Sequence, residues 1–292
     1  MSYEIRDWPY EDWPTLLKEI PDLPQKLKIS GTPPPKENKL LAVVGSRDMT
    51  PYGKEVLETT IGWLRGAPVS IISGLALGVD AAAHRAALRN GLHTVAVPGS
   101  GLEERVIYPR NHENLAKEIV ESGGALISEF DDNFRARPES FPKRNRIMAG
   151  MSHATLIIEA KDASGSLITG RLALEYNRDV GIIPGPIFSP QSQGTNRLLR
   201  DGAQAITEKA DLYMLLGLAI DEKTPYLNQE KLFELLSPEE REIIDLLKDG
   251  GKEMDEIIEQ SSLNTSAVLT VVSSLSLKGI VIEQMGQIEL KK

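Results

Sequence analysis

The chain has 292 residues, of which 41% are hydrophobic and 26% charged, with a formal net charge of −9 and no cysteine. That length holds about two domains, the composition is that of a water-soluble globular protein, and the missing thiols exclude disulfides, thiolate metal sites and thiol redox chemistry. The acidic, aromatic start MSYEIRDWPYEDW is unlike a signal peptide, no apolar run reaches the roughly 20 residues that span a bilayer, and net acidity argues against indiscriminate coating of DNA or membrane, so a cytoplasmic protein is expected.

In chain order, residues 1–38 are rich in Pro and charge and end in GTPPPKENK. Three consecutive prolines fit neither a helix nor a central strand, so this part is expected to be an N-terminal extension or connector. Residues 39–217 alternate short apolar runs with amphipathic ones. The apolar runs predict strands at LLAVVGS (40–46), VSIISG (69–74), HTVAVPG (93–99), ALISEF (125–130), ATLIIEA (154–160) and VGIIPG (180–185), with a short seventh at AQAIT (203–207). Brief, nearly continuous apolar runs are what parallel strands covered on both faces require. Between them EVLETTIGWLRG, DAAAHRAALRNG and HENLAKEIVESGG each run to a glycine stop, as helices do. The fold class that follows is α/β, an extended Rossmann-type doubly wound parallel sheet.

Residues 218–236 form a polar linker. From Ser237 the texture changes, and three helices with a hairpin predict a small winged-helix domain over 237–292. Ser237, Pro238 and Glu240 make a helix start with a capping box, Asn264-Thr265-Ser266 starts the third helix, and the hairpin turns at Met285–Gly286. This part carries 11 acidic and 6 basic side chains, and its expected recognition helix has one cation, Lys278. Reading duplex DNA takes phosphate and base contacts mostly from Arg and Lys, so a protein-contact or dimer-stabilising role is expected instead.

In an open parallel sheet, ligands bind outside the carboxyl ends of the strands. Here those ends carry Gly45-Ser46-Arg47, Ser73-Gly74, Pro98-Gly99-Ser100-Gly101, Ser164-Gly165-Ser166 and Pro184-Gly185. Glycine lets an oxyanion approach the backbone, and free N–H groups at helix starts supply donors, so five such turns on one rim predict an anion or phosphate site. No Walker motif occurs and no GxGxxG follows the first strand, so nucleotide hydrolysis and a dinucleotide cofactor are not expected. Neither is a metal site.

FPKRNRIMAG (141–150) concentrates Lys143, Arg144 and Arg146 on an acidic protein. If it opens the helix after the fourth strand, Phe141, Arg144, Asn145 and Arg146 join the glycine rim, with Arg47 and Arg110 beside them. Arginine forks hold phosphates and an aromatic face stacks on an unpaired base, which is the composition of a single-strand nucleic-acid groove. The competing reading has Arg144 or Arg146 paired internally with Glu129 or Glu159. Asp80 and His84, one turn apart, are read as structural, Asp80 capping its helix and His84 packing near the rim. Glu103 and Glu104 are read as a solvated loop.

Taken in order, VGSR (44–47), SGLALGVDAAAH (73–84), YPRN (108–111), SEF (128–130), FPKRNRIMAGMS (141–152), SGSLIT (164–169) and PG (184–185) resemble the DprA/Smf family of bacterial DNA-processing proteins over residues 40–215. The resemblance implies binding of single-stranded DNA, homodimerisation, protection of incoming strands and their transfer to the recombinase RecA in natural transformation. It implies no catalysis and no cofactor. Its strand-binding positions fall on Gly45, Ser46, Arg47, Ser73, Gly74, Phe141, Arg144, Asn145, Arg146, Ser164 and Ser166. The small SAM-like domain that opens many members is expected to be absent here. Two rival readings remain: a nucleotide-binding sensor, or a LOG-like nucleoside monophosphate phosphoribohydrolase, to whose PGGxGTxxE motif PGSGLEER (98–105) is superficially similar.

Overall fold

A computed structural model describes residues 3–162, 164–219, 236–248, 250–277, 280–284 and 286–290. The chain divides into two compact units at Ile220. The first contains nine strands, β1 (Ile5–Asp7), β2 (Lys28–Gly31), β3 (Lys39–Val44), β4 (Val69–Ser73), β5 (His93–Ala96), β6 (Ala125–Ser128), β7 (Ala154–Ile157), β8 (Asp179–Ile182) and β9 (Gln204–Ala205). Its α-helices are α1 (Thr15–Lys18), α2 (Pro51–Gly62), α3 (Val79–Arg89), α4 (Glu113–Glu121), α5 (Ser140–Met151), α6 (Gly165–Glu175), α7 (Gln193–Arg200) and α8 (Lys209–Leu215).

The strands form one sheet in the order β1-β2-β6-β5-β4-β3-β7-β8-β9. From β6 to β9 every neighbouring pair is parallel, as the uniformly apolar runs predict. Each observed strand is a little shorter than its apolar run. The trailing residues leave the ladder and form the rim turns. Helices cover both faces: Leu57 and Ile61 of α2 pack with Val79 and Ala83 of α3 on one side, and Ile147 and Met148 of α5 pack with Leu167 and Ala173 of α6 on the other. Fully buried residues such as Leu57 and Ile61 each contribute about 1.5–3 kcal/mol by leaving water. The chain runs outward from β3 to β6 and returns to the other side of β3 at β7. The order therefore reverses between β3 and β7, where a crevice opens at the carboxyl ends.

The segment before residue 39 departs from its expected role as a connector. β2 pairs antiparallel with β6, Ile29 opposite Ile127, and β1 pairs antiparallel with β2. Trp8, Trp13, Leu17, Ile20 and Leu27 are buried in the core. A Cβ on Gly150 of α5 would stand 2.7 Å from the Ile20 side chain, so this segment packs tightly on the helix that carries the cationic stretch. Trp13, Leu17 and Ile20 keep a helical spacing and Leu27 and Ile29 a strand spacing, but each run is only a few residues long and is cut by Pro9, Pro14, Pro21 and Pro24, which hides them from a pattern reading.

The second unit contains helices Pro238–Leu247, Met254–Gln260 and Thr265–Leu277, and a three-stranded antiparallel sheet in which Gln287–Leu290 lies between Lys252–Glu253 and Val281–Gln284. Ile243, Ile244, Leu247, Ile257, Val268, Leu275 and Ile288 form its core. The capping box is present: Glu240 N donates to Ser237 Oγ at 3.2 Å, and Ser237 N donates to Glu240 Oε2 at 3.1 Å. Asn264 Oδ1 accepts from Ala267 N at the start of the third helix. Lys278, Met285 and residues 220–235 of the expected linker lie outside the described residues. Among the described residues, no helix is long and apolar enough to cross a membrane.

Candidate functional site

A cleft of about 550 Å³ occupies the place where the strand order reverses. Gly45, Ser46, Arg47 and Asp48 after β3 line one side. Lys161 and Ser164, Gly165 and Ser166, after β7 and at the start of α6, line the opposite side. Phe141, Arg144, Asn145 and Met148 reach in from α5. Ser164 caps α6, its Oγ accepting from Ser166 N at 3.3 Å, and the two serine hydroxyls lie 2.6 Å apart. A Cβ on Gly165 would meet nothing within 4 Å, so the start of this helix faces open space. The dipole of α6 favours an anion there.

Arg47 is exposed and its guanidinium lies 5.2 Å from the centroid of the Phe141 ring. Stacking of this kind leaves the guanidinium N–H donors free for an oxyanion while the ring shields one face. Phe141 is seated closely: a Cβ on Gly99 would stand 2.7 Å from its Cδ1. Ser140 Oγ donates to Gly99 O at 2.6 Å and fixes the first turn of α5 against the end of β5.

The two arginines of the cationic stretch differ in role. Arg144, only 4% exposed, forms the floor of the cleft. It donates to Val97 O at 2.7 Å and lies 3.9 Å from Asp80 Oδ2, with its Nε buried and unpartnered among the described residues. Burial pushes the Asp80 carboxyl above its ordinary range, and the Arg144 charge is the main influence pulling it back. Arg146 faces away from the cleft. Its Nη2 lies 2.5 Å from Glu129 Oε2 and its Nε 3.1 Å from Asp22 Oδ2. Internal pairing therefore holds for Arg146 with Glu129. It does not hold for Glu159, whose carboxylate instead accepts from Thr50 N at 2.9 Å and Thr50 Oγ1 at 2.5 Å and fixes the start of α2.

Ser73 is buried, its Oγ donating to Val43 O at 2.6 Å, and ties β4 to β3. Gly74 is required because a Cβ would collide with the Arg144 guanidinium. Leu75 beside it has a φ of +60°, an unusual conformation for leucine, and its carbonyl accepts from buried His112 Nδ1 at 2.8 Å. Arg110 and Lys143 are exposed but outside the cleft lining. Asp80 does not cap α3; its carboxylate accepts from Ala76 N at 3.4 Å in the preceding turn. His84 is fully buried, 2.8 Å from Thr94 Oγ1, and burial pulls its pKa down to about 3. Glu103 and Glu104 pair with Arg105 and Lys117 and stand outside the cleft, which leaves the loop resembling a hydrolase motif without a free carboxylate pair.

Lys161 and Asp48 line the cleft but were not singled out in the sequence. Asp48 Oδ2 lies 3.7 Å from Lys161 Nζ, and Gln191 Nε2 donates to Asp48 O at 2.9 Å. The available signal was position: Lys161 lies three residues before the Ser164 cap, on the same strand-to-helix connection.

Residues 6–217 match the model of a family described as DNA recombination-mediator protein A. Over 276 residues the chain is 36% identical to Protein Smf of Escherichia coli (strain K12), covering 92% of this chain and 72% of that one. It is 40% identical over 211 residues to DNA processing protein DprA of Streptococcus pneumoniae, covering 72% of each. Among solved structures, DprA of Streptococcus pneumoniae superposes with a TM-score of 0.66 at 36% identity, over 72% of this chain and 74% of that one. DNA processing protein A of Helicobacter pylori, whose structure was solved for its single-stranded DNA binding mode, gives 0.65 at 30% identity, over 74% and 98%.

Proposed function

The chain belongs to the DNA recombination-mediator protein A family, and on that premise we propose that it binds single-stranded DNA in the cleft between β3 and β7. The observation that carries the reading is the meeting of Arg47, stacked on Phe141, with Lys161 and the open Gly165 turn in one cleft. Arg47 and Lys161 take phosphates, helped by the positive end of the α6 dipole. Phe141 supports a base, and Arg144 supplies fixed positive charge at the floor. Contacts made mainly to the backbone predict weak sequence preference.

The protein acts by binding and not by catalysis, with no cofactor, in the cytoplasm. It shields incoming strands and passes them to the RecA recombinase in natural transformation. Ile187 and Phe188, 74% and 90% exposed, support a homodimer as the surface for a second copy, and two linked clefts give avidity on long strands. The second unit is a winged helix that contacts protein, in keeping with its acidic balance. Titrating labelled single-stranded and duplex oligonucleotides with the intact protein, with its mass in solution measured alongside, tests this reading. Tighter binding of single strands supports it. Release of adenine from AMP would replace it with the hydrolase reading.

A further inference from the structure

The Arg47–Phe141 pair is a wall with a space on each side. One side is the main cleft. On the other lies a hollow of about 30 Å³ lined by Arg47, Gly74, Leu77, Tyr108, Pro109 and Phe141. Tyr108 is 50% exposed, its ring centroid 5.8 Å from that of Phe141 at an interplanar angle of 53°. Its hydroxyl makes no hydrogen bond among the described residues. Leu77 opposite is 44% exposed, and Arg110 is exposed two residues beyond Tyr108. A half-exposed tyrosine and a half-exposed leucine flanking one hollow, with Arg47 in its lining, leave apolar surface that nothing in the first unit's described residues covers.

We propose that Tyr108 forms a second base-stacking subsite, so that a single strand crosses the Arg47–Phe141 wall with consecutive nucleotides on opposite sides. This rests on the single-strand reading of the main cleft. The hollow has room for the exocyclic edge of a base or a water molecule and is too small for a ring, so the base lies on the outer face of Tyr108 with its edge turned inward. Arg47 then meets the phosphate between the two bases, and Arg110 meets the next one. An aromatic face accepts any base, so the subsite extends the footprint without adding sequence preference. It also gives Arg110, which the main cleft does not use, a position on the path of the strand.

The test is a fluorescence anisotropy titration of oligothymidylates of stepwise increasing length against the parent, Tyr108→Ala and Tyr108→Phe, with melting temperatures measured beside them. Tyr108→Ala is expected to equal the parent on the shortest strands that bind. It should fall behind by roughly tenfold once the strand is long enough to cross the wall, the cost of one lost base–aromatic stack. Tyr108→Phe should follow the parent throughout. Equal affinity of Tyr108→Ala and parent at every length overturns the subsite. A loss that is the same at every length also overturns it, because Tyr108 then only supports Phe141. A parent that binds no strand at all overturns the main-cleft reading and the subsite with it.

Discussion

Arg146 and Glu129 form an ion pair, Nη2 to Oε2 at 2.5 Å, that ties α5 to the end of β6 behind the cleft. Both side chains are largely shielded from water. Burial pushes the Glu129 carboxyl up, and Arg146 is the strongest influence bringing it back down. Arg146→Ala should therefore cost about 3 kcal/mol of stability in urea denaturation, because it leaves a shielded carboxylate without its partner. The variant's Glu129 pKa rises further. Its deficit against the parent should be small where Glu129 is protonated and should grow as pH climbs through and above the carboxylate range. Strand affinity of the folded fraction should stay near the parent value.

Arg47→Ala and Lys161→Ala should behave in the opposite way. Both side chains are exposed, so each substitution should cost less than about 1 kcal/mol of stability. Each should weaken binding to all sequences alike and reduce the salt slope of log affinity by about one. Anisotropy titrations at several salt concentrations measure both effects.

Gly165→Ala separates stability from binding. A Cβ there meets nothing within 4 Å, and the residue opens α6. Replacing glycine at a compatible position should stabilise the fold by about 0.4–1 kcal/mol. The added methyl group occupies the space where an oxyanion approaches the helix start, so strand affinity should fall. Thermal melting and strand titration of the same preparation test the pair of outcomes.

His84 predicts acid sensitivity. Its folded pKa of about 3 lies below the ordinary 6.5, so the unfolded chain binds the proton more readily. Its contribution to stability is complete above about pH 6.5 and is lost as pH falls toward 3. Burial shifts His93 and His153 the same way. His84→Gln should flatten the stability profile between these pH values, as read by denaturation at a series of pH.

Phe188→Glu should shift the protein to monomer in sedimentation or light scattering and lower affinity for long strands more than for short ones, because avidity is lost while each cleft remains. An unchanged mass would place the self-association surface elsewhere.

The parallel sheet was legible in the sequence because six apolar runs are all brief and nearly continuous and share one kind of ending. Of the five glycine turns, those at Gly45 and Gly165 meet in the cleft with Arg47 and Phe141, while Gly74, Gly99 and Gly185 are outside its lining. Direction along a helix was not legible. Arg144 and Arg146 are two residues apart on α5 and so point to different sides, one to the cleft floor and one to Glu129. Lys161 stands alone in sequence and acquires its place only when β7 lies beside β3. The β1–β2 edge was hidden because its pairing with β6 joins residues about a hundred positions apart and its own apolar run is only a few residues long.

The most direct test of single-strand binding in this cleft is the salt dependence of affinity for a labelled oligothymidylate, measured by anisotropy between about 50 and 200 mM salt for the parent and the Arg47→Ala/Lys161→Ala double variant. The account predicts that log affinity of the parent falls linearly with log salt, and that the variant binds more weakly with a slope shallower by about two. A flat parent profile, or a double variant that matches the parent in affinity and slope, would contradict it.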